Sequence, residues 1–376
     1  MTQGKSGLPS ALQDTLNYVN SEQLYGLRVY LAQDRTFRFS VTWVTTKTMR
    51  ITMITPAQPG SKAGNRATAE RWKALLENAG HAVDIVTDYR GESCDAFIAL
   101  HAWRSVDAVR QFRTTWPEKP LIVALTGTDI YRHQQEFPEE TRYSMEAADA
   151  LIGLHSLVAH DIPKGLADKL TTLYQSADGP ESYPAPRENV QKREFGVCVI
   201  GHLREEKDSL RAAYAARLLP DDSRIQVVSA GKAYNEDWRV KAEQEMASNP
   251  RFQWLGELDK GETRQLMADS QVMVISSLME GGANVVSEAC RAGLPVIASD
   301  IPGNVGLLGK GYVGYFPVGN ERALADLLYR AEQDPNFLGT LKNQVSQLAG
   351  HFMPEKEQAS LELALHQAVQ RCSERH

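Results

Sequence analysis

Ser276-Ser-Leu-Met-Glu280-Gly281-Gly282-Ala283-Asn284-Val285-Val-Ser-Glu288-Ala-Cys-Arg-Ala-Gly293-Leu-Pro-Val-Ile-Ala-Ser-Asp300 is the stretch on which the fold turns. It follows the short apolar run 272–275, sets a glycine pair where a helix should begin, and stops that helix at Gly293, a residue suited to a left-handed C-terminal position. The start of such a helix is an anion site. Free N–H groups at residues 282–285, aligned with the helix dipole, can hold a diphosphate, and the glycines let a ligand approach the backbone closely. Glu288 lies roughly 8 Å further along the axis at ~1.5 Å per residue, within reach of a ribose whose diphosphate sits on the helix end. Glu280, in the preceding loop, falls on the other side of that diphosphate, where its carboxylate can accept hydrogen bonds from a sugar.

Working outward, short apolar runs at 195–200, 225–229, 252–255 and 296–298 alternate with helical stretches, which predicts a parallel sheet. The same alternation occurs earlier, with strands expected at 51–55, 82–86, 97–100, 121–125 and 151–154. Trp72, Leu75, Leu76 and Ala79 repeat at helical spacing after a Gly/Pro loop at 56–65. The expected class is α/β: two Rossmann-like domains facing each other across a cleft, with ligands at the carboxyl ends of the strands. The expected boundaries are 49–177 for the first domain, 178–194 for a linker rich in Pro, Ser, Asp and Glu, and 195–345 for the second. Residues 346–376 read as a closing amphipathic helix. Residues 1–48 read as an extension of unknown role, with a short helix at 11–18 and a β-prone run at 37–46, and Met49 looks like a natural start.

At 376 residues the chain is long enough for two cores. A formal net charge of -6 leaves no basic excess for a nucleic-acid backbone, so no nucleic-acid partner is expected. Cys94, Cys198, Cys290 and Cys372 are far apart in the sequence and form no C-x-x-C pair, which predicts buried, reduced thiols rather than disulfides or a zinc site. No run approaches the ~20 apolar residues of a membrane span, and there is no signal-peptide pattern at the N-terminus. A cytoplasmic location without stable membrane association is the expectation.

Glu280, seven residues, then Glu288, followed by Gly293-Leu-Pro-Val-Ile-Ala-Ser-Asp300 and Gly303-Asn304, resembles the retaining GT-B glycosyltransferases with the E-x7-E motif. A lone pair of glutamates at this spacing would be uninformative, because most are solvated charges. The strand, glycine and helix around this pair make the match specific, and residues 49–345 follow the family's order. A second match is Gly201-His202-Leu203-Arg204-Glu205-Glu206-Lys207, where the family places an arginine and, five residues later, a lysine on the diphosphate. Lys207 keeps its place, but His202 occupies the arginine position, and either His202 or Arg204 could make the remaining contact. The resemblance implies a nucleotide-sugar donor with Glu288 on ribose, Lys207 on the diphosphate and Glu280 on the sugar. With no D-x-D in the chain, Lys207 and the helix end are expected to replace a metal ion in stabilising the leaving diphosphate, and no cofactor is expected.

In the first domain, Gly60-Ser-Lys62-Ala-Gly64-Asn65-Arg66 reads as a basic glycine nest, with Asn65 as a helix cap, that would suit a small anion; the bland alternative is a turn carrying two solvated cations. His101 and Arg104 follow one strand and Thr126, Thr128 and Asp129 another, so all are expected to face the cleft. The position of His101 resembles the family's first-domain histidine near the donor sugar. These segments together also resemble one narrow branch, the selenosugar synthases of selenoneine biosynthesis. That resemblance implies a UDP-sugar donor, usually UDP-GlcNAc, and selenophosphate as acceptor. An acceptor already anionic near neutral pH needs no general base. Two other readings are kept: a glycosyltransferase with an alcohol acceptor on a lipid or polysaccharide, and a silent nucleotide-sugar-binding protein.

Overall fold

The computed structural model describes residues 30–31, 37–38, 48–61, 64–187 and 194–375. The chain divides into two compact units, Met1–Lys47 and Thr48–His376. In the first, β1 (Tyr30–Leu31) pairs antiparallel with β2 (Phe37–Arg38). The helix expected at 11–18 lies outside the described residues.

The second unit holds two parallel sheets of six strands each. The first contains β3 (Arg50–Ile54), β4 (Ala82–Val86), β5 (Ala96–Leu100), β6 (Leu121–Leu125), β7 (Ala150–Gly153) and β8 (Leu170–Thr172), in the order β4-β3-β5-β6-β7-β8. Every residue of β5 and β6 is buried, as central strands covered on both faces require. One face is covered by α1 (Gly64–Asn78), whose Trp72 and Leu76 are fully buried, and the other by α2 (Val106–Thr115) and α3 (Pro138–Ala147). The second sheet contains β9 (Phe195–Ile200), β10 (Ile225–Ala230), β11 (Phe252–Trp254), β12 (Val272–Ile275), β13 (Val296–Ser299) and β14 (Tyr315–Phe316), in the order β11-β10-β9-β12-β13-β14. This is the dinucleotide-fold order, whose strand reversal at β9 and β12 opens a crevice at their carboxyl ends. Helices α4 (Arg211–Ala216), α5 (Glu236–Ser248), α6 (Lys260–Asp269), α7 (Asn284–Ala292), α8 (Pro302–Leu308), α9 (Glu321–Gln333) and α10 (Pro335–Leu348) complete this half.

The last helix, α11 (Pro354–Arg375), returns to the first sheet. Its Leu361, Ala364, Leu365 and Ala368 join the core formed by Trp72, Ile98 and Ile152, so the chain crosses between the halves twice. The crossings meet where the Ala177 N–H donates to the Phe352 carbonyl at 3.1 Å.

His155 sits at the contact between the halves, fully buried against Gly306 of α8. Its Nδ1 accepts from the Leu157 N–H (3.2 Å), while Nε2 lies 3.0 Å from the Tyr131 hydroxyl, which donates to Asp161. The ring is therefore held neutral, and burial lowers its pKa to about 4 despite the opposing charge of Asp161. Its contribution is intact above the unfolded value near 6.5 and is lost as pH falls toward 4, because the unfolded chain binds the proton first. We expect about 3 kcal/mol of stability to disappear over that window, measured by urea unfolding. His155→Gln should show a flatter acid slope; an unchanged slope would remove His155 as the cause.

Candidate active site

A cavity of about 490 Å³ lies between the carboxyl ends of the two sheets and is lined from both sides. On the second-domain side, Ser276 and Ser277 directly follow β12. The Ser276 hydroxyl lies 2.9 Å from the Asp208 carbonyl and 3.2 Å from that of Lys207, which holds the Lys207 loop against the strand end. Asp208 takes a left-handed φ of 45°, turning the chain back toward α4. The Lys207 ammonium is thereby placed on the Glu280 carboxylate, which also accepts from the Ser277 hydroxyl at 2.6 Å. Glu280 is buried, and its carbonyl lies so close to Gly303 that a Cβ there would approach to 2.2 Å.

Helix α7 begins at Asn284 after Ala283, which has no side chain able to cap it. Gly281, Gly282, Ala283, Asn284 and Val285 all line the cavity, so the uncapped first turn borders the space where an anion would sit. Gly293 ends the helix with φ 68°. Glu288 also lines the cavity. Burial raises its pKa, and the cations Arg71, Lys260 and Arg264 oppose that rise. His202 and Arg204 both border the cavity. The His202 Nδ1 accepts from the Lys232 N–H at 3.2 Å, and burial together with Arg204 lowers its pKa, so this ring is neutral near pH 7 and does not reproduce an arginine's fixed charge.

On the first-domain side, His101 is buried at the end of β5 with φ 84°, a conformation rare for a residue with a side chain. Asp129 holds it there. One Asp129 oxygen lies 2.7 Å from His101 Nδ1 and accepts from the Trp103 N–H; the other accepts from the N–H groups of Ala102 and Thr126 and from the Thr126 hydroxyl. Burial alone would raise the Asp129 pKa, yet the His101 ring and these donors hold it well below the carboxylate range. His101 Nε2 then lies 3.1 Å from the Thr128 hydroxyl, on the cavity wall. His101, Asp129 and His133 lie close enough to suggest a metal site, but the Asp129 oxygens are already occupied by these donors and the cluster fits an orienting role better.

Arg104, Thr126 and Thr128 line the cavity as expected. The described part of the expected nest, residues 60–61 and 64–66, is arranged differently from the reading. Helix α1 starts at Gly64, so Asn65 stands in its first turn rather than capping it, and Arg66 turns along the helix to Glu70 at 2.7 Å. Gly64 and Asn65 border the cavity, whereas Gly60 and Arg66 do not, and Lys62 lies outside the described residues. Arg132, paired with Glu206 across the cleft at 2.8 Å, was not anticipated, nor were His133 and Gln175.

Residues 185–347 match the family described as glycosyl transferases group 1. The HepE protein of Anabaena, solved with UDP and glucose, superposes with a TM-score of 0.67 at 17% identity, over 85% of this chain and 99% of its own. Sucrose-phosphate synthase of Thermosynechococcus elongatus gives 0.70 at 15% identity, over 85% and 99%. A glycosyltransferase of Rickettsia africae gives 0.66 at 13% identity, over 86% and 99%. Residues 185–347 are thus similar to the group 1 glycosyl transferases, and the two paired sheets have the GT-B fold.

Proposed function

We propose that the protein transfers a hexosamine, N-acetylglucosamine in the first instance, from its UDP-sugar to selenophosphate, giving a selenosugar and UDP in the cytoplasm. HepE of Anabaena has been solved with UDP and with UDP-glucose, which favours a uridine donor here. In this reading Glu288 holds ribose, Lys207 and the first turn of α7 hold the diphosphate, and Glu280 and His101 face the sugar. Lys207 and the helix end neutralise the charge that develops on departing UDP, without a metal ion.

The observation that carries the acceptor is the chemistry of the first-domain wall. Of its cavity-lining residues Gly64, Asn65, Thr68, His101, Arg104, Thr126, Gly127, Thr128, Arg132, His133, Leu154 and Gln175, only Leu154 is apolar, and exposed Arg104 makes no ion pair among the described residues. A wall of this kind suits a small anion better than a lipid. The cavity-lining Glu280 is engaged by Lys207, and Asp129 is fully buried behind His101 and engaged by that ring, so neither carboxylate is a ready base for an alcohol. Selenophosphate needs none: a selenium lone pair forms the bond to the anomeric carbon as the bond to the UDP oxygen breaks, and water later takes the phosphoryl group from selenium.

Mass spectrometry of an anaerobic reaction with UDP-GlcNAc and selenophosphate tests this. The expected product is a hexosamine carrying the selenium isotope pattern, with one UDP released for each. Tight UDP binding with no selenium product, and turnover of a short alcohol instead, would replace the acceptor and keep the donor.

A further inference from the structure

Arg71 lies on α1 of the first domain, yet its guanidinium reaches the first residue of α7 in the second. Its Nη2 donates to Asn284 Oδ1 at 3.1 Å, and its Nε is held by the fully buried carboxylate of Glu357, at 2.9 and 3.1 Å. Glu357 also accepts from Trp72 Nε1 (2.8 Å) and the Ser176 N–H (2.7 Å), so the arginine rests on a fixed anion where the two chain crossings meet. Gln175 completes the arrangement. Oriented by its neighbours, its amide nitrogen donates to Asn284 Oδ1 (3.1 Å) and to the Gly282 carbonyl (2.8 Å), while its oxygen accepts from the Thr68 hydroxyl and Arg71 Nη2.

Two first-domain donors therefore converge on one oxygen of Asn284, and that fixes which way the amide faces. The group left over is Nδ2, a donor with no protein partner among the described residues, on a side chain that lines the cavity beside the uncapped helix start. We infer that Arg71 and Gln175 are positioning residues that turn the Asn284 amide so that Nδ2 donates to the diphosphate of the donor. The inference rests on the donor reading above. It gives the first domain a part in holding the nucleotide: an amide free to rotate would present its oxygen to the phosphate as readily as its nitrogen.

A double-mutant cycle on UDP affinity, read by calorimetry alongside Tm, tests it. Asn284→Ala is expected to weaken UDP binding about 10-fold or more, as loss of a hydrogen bond to a charged group does. Gln175→Leu and Arg71→Met should each weaken it by about 3- to 10-fold in the wild-type background and by nothing further in the Asn284→Ala background. A structural role alone would lower Tm equally in both backgrounds without this collapse of the affinity effect. Arg71→Met strands the buried Glu357 charge; if that variant does not fold, uncharged Gln175→Leu carries the test alone. Wild-type affinity in Gln175→Leu, or losses that multiply onto Asn284→Ala, overturn the inference while the donor site stands. A wild-type protein that does not bind UDP overturns both.

Discussion

Lys207→Met is expected to lower kcat by about 100- to 1,000-fold, the range seen when one preorganised donor is removed from a developing anion, while UDP affinity falls less than 10-fold. The asymmetry follows from where the ammonium sits. It rests on Glu280, steadied by the Ser276 hydroxyl at the loop carbonyls and by the Ser277 hydroxyl on the same carboxylate. The charge is thus held in place before any ligand arrives and needs little reorganisation when the sugar–oxygen bond breaks. Interactions that strengthen only as the bond breaks appear in kcat, whereas uniform binding appears in KM. Lys207→Arg, which keeps the charge, should recover part of the loss. Steady-state kinetics with UDP calorimetry separate the outcomes: a loss confined to KM would make Lys207 a ground-state contact, and unchanged kinetics would remove it from the site.

The same features explain what the sequence could and could not tell. Helix α7 was legible because its signals are local: an apolar strand before it, glycines at its start and Gly293 at its end, which adopts φ 68°. The central strands were legible as unbroken apolar runs. Strands β8 (Leu170–Thr172) and β14 (Tyr315–Phe316) were missed, because each is three residues or fewer at a sheet edge and too short to show a period. The glycine loop misled for a related reason: Gly64 is the first residue of α1, not the turn before it, and Arg66 follows the helix to Glu70. The network around Asn284 could not be read at all. Arg71 and Asn284 are 213 positions apart, and Glu357 looks like one more polar residue of an amphipathic helix until folding brings Arg71, Trp72 and Ser176 to it. Local pattern gives the elements; partners joined only by the second crossing of the chain leave no periodic trace.

Gly127→Ala is expected to reduce kcat/KM about 100-fold, since misplacing reacting groups by about 1 Å can cost that much. UDP affinity should fall by no more than about 10-fold, because Lys207 and Glu288 sit on the second domain and the first domain reaches the nucleotide only through Arg71 and Gln175 at Asn284. The cause is a backbone contact across the cleft. A Cβ on Gly127 would stand 2.4 Å from the Gly281 nitrogen and 2.6 Å from the Glu280 carbonyl carbon, and a Cβ on Gly281 would stand 2.2 Å from the Gly127 nitrogen. No flexible side chain can yield at these places, so the two halves must draw apart. Gly127 has no left-handed φ, so alanine suits its backbone and the effect is one of space alone. Separation also works against the Arg132–Glu206 pair that bridges the cleft at 2.8 Å. His101 and Thr128 come from the first domain, Glu280 and Lys207 from the second, and they line one cavity only while the glycines touch. Kinetics, calorimetry and small-angle scattering of the UDP-bound protein check this together. The variant should scatter as a more open particle with its melting temperature nearly unchanged. Wild-type turnover in Gly127→Ala would show that the enzyme reacts in an arrangement where these backbones are apart.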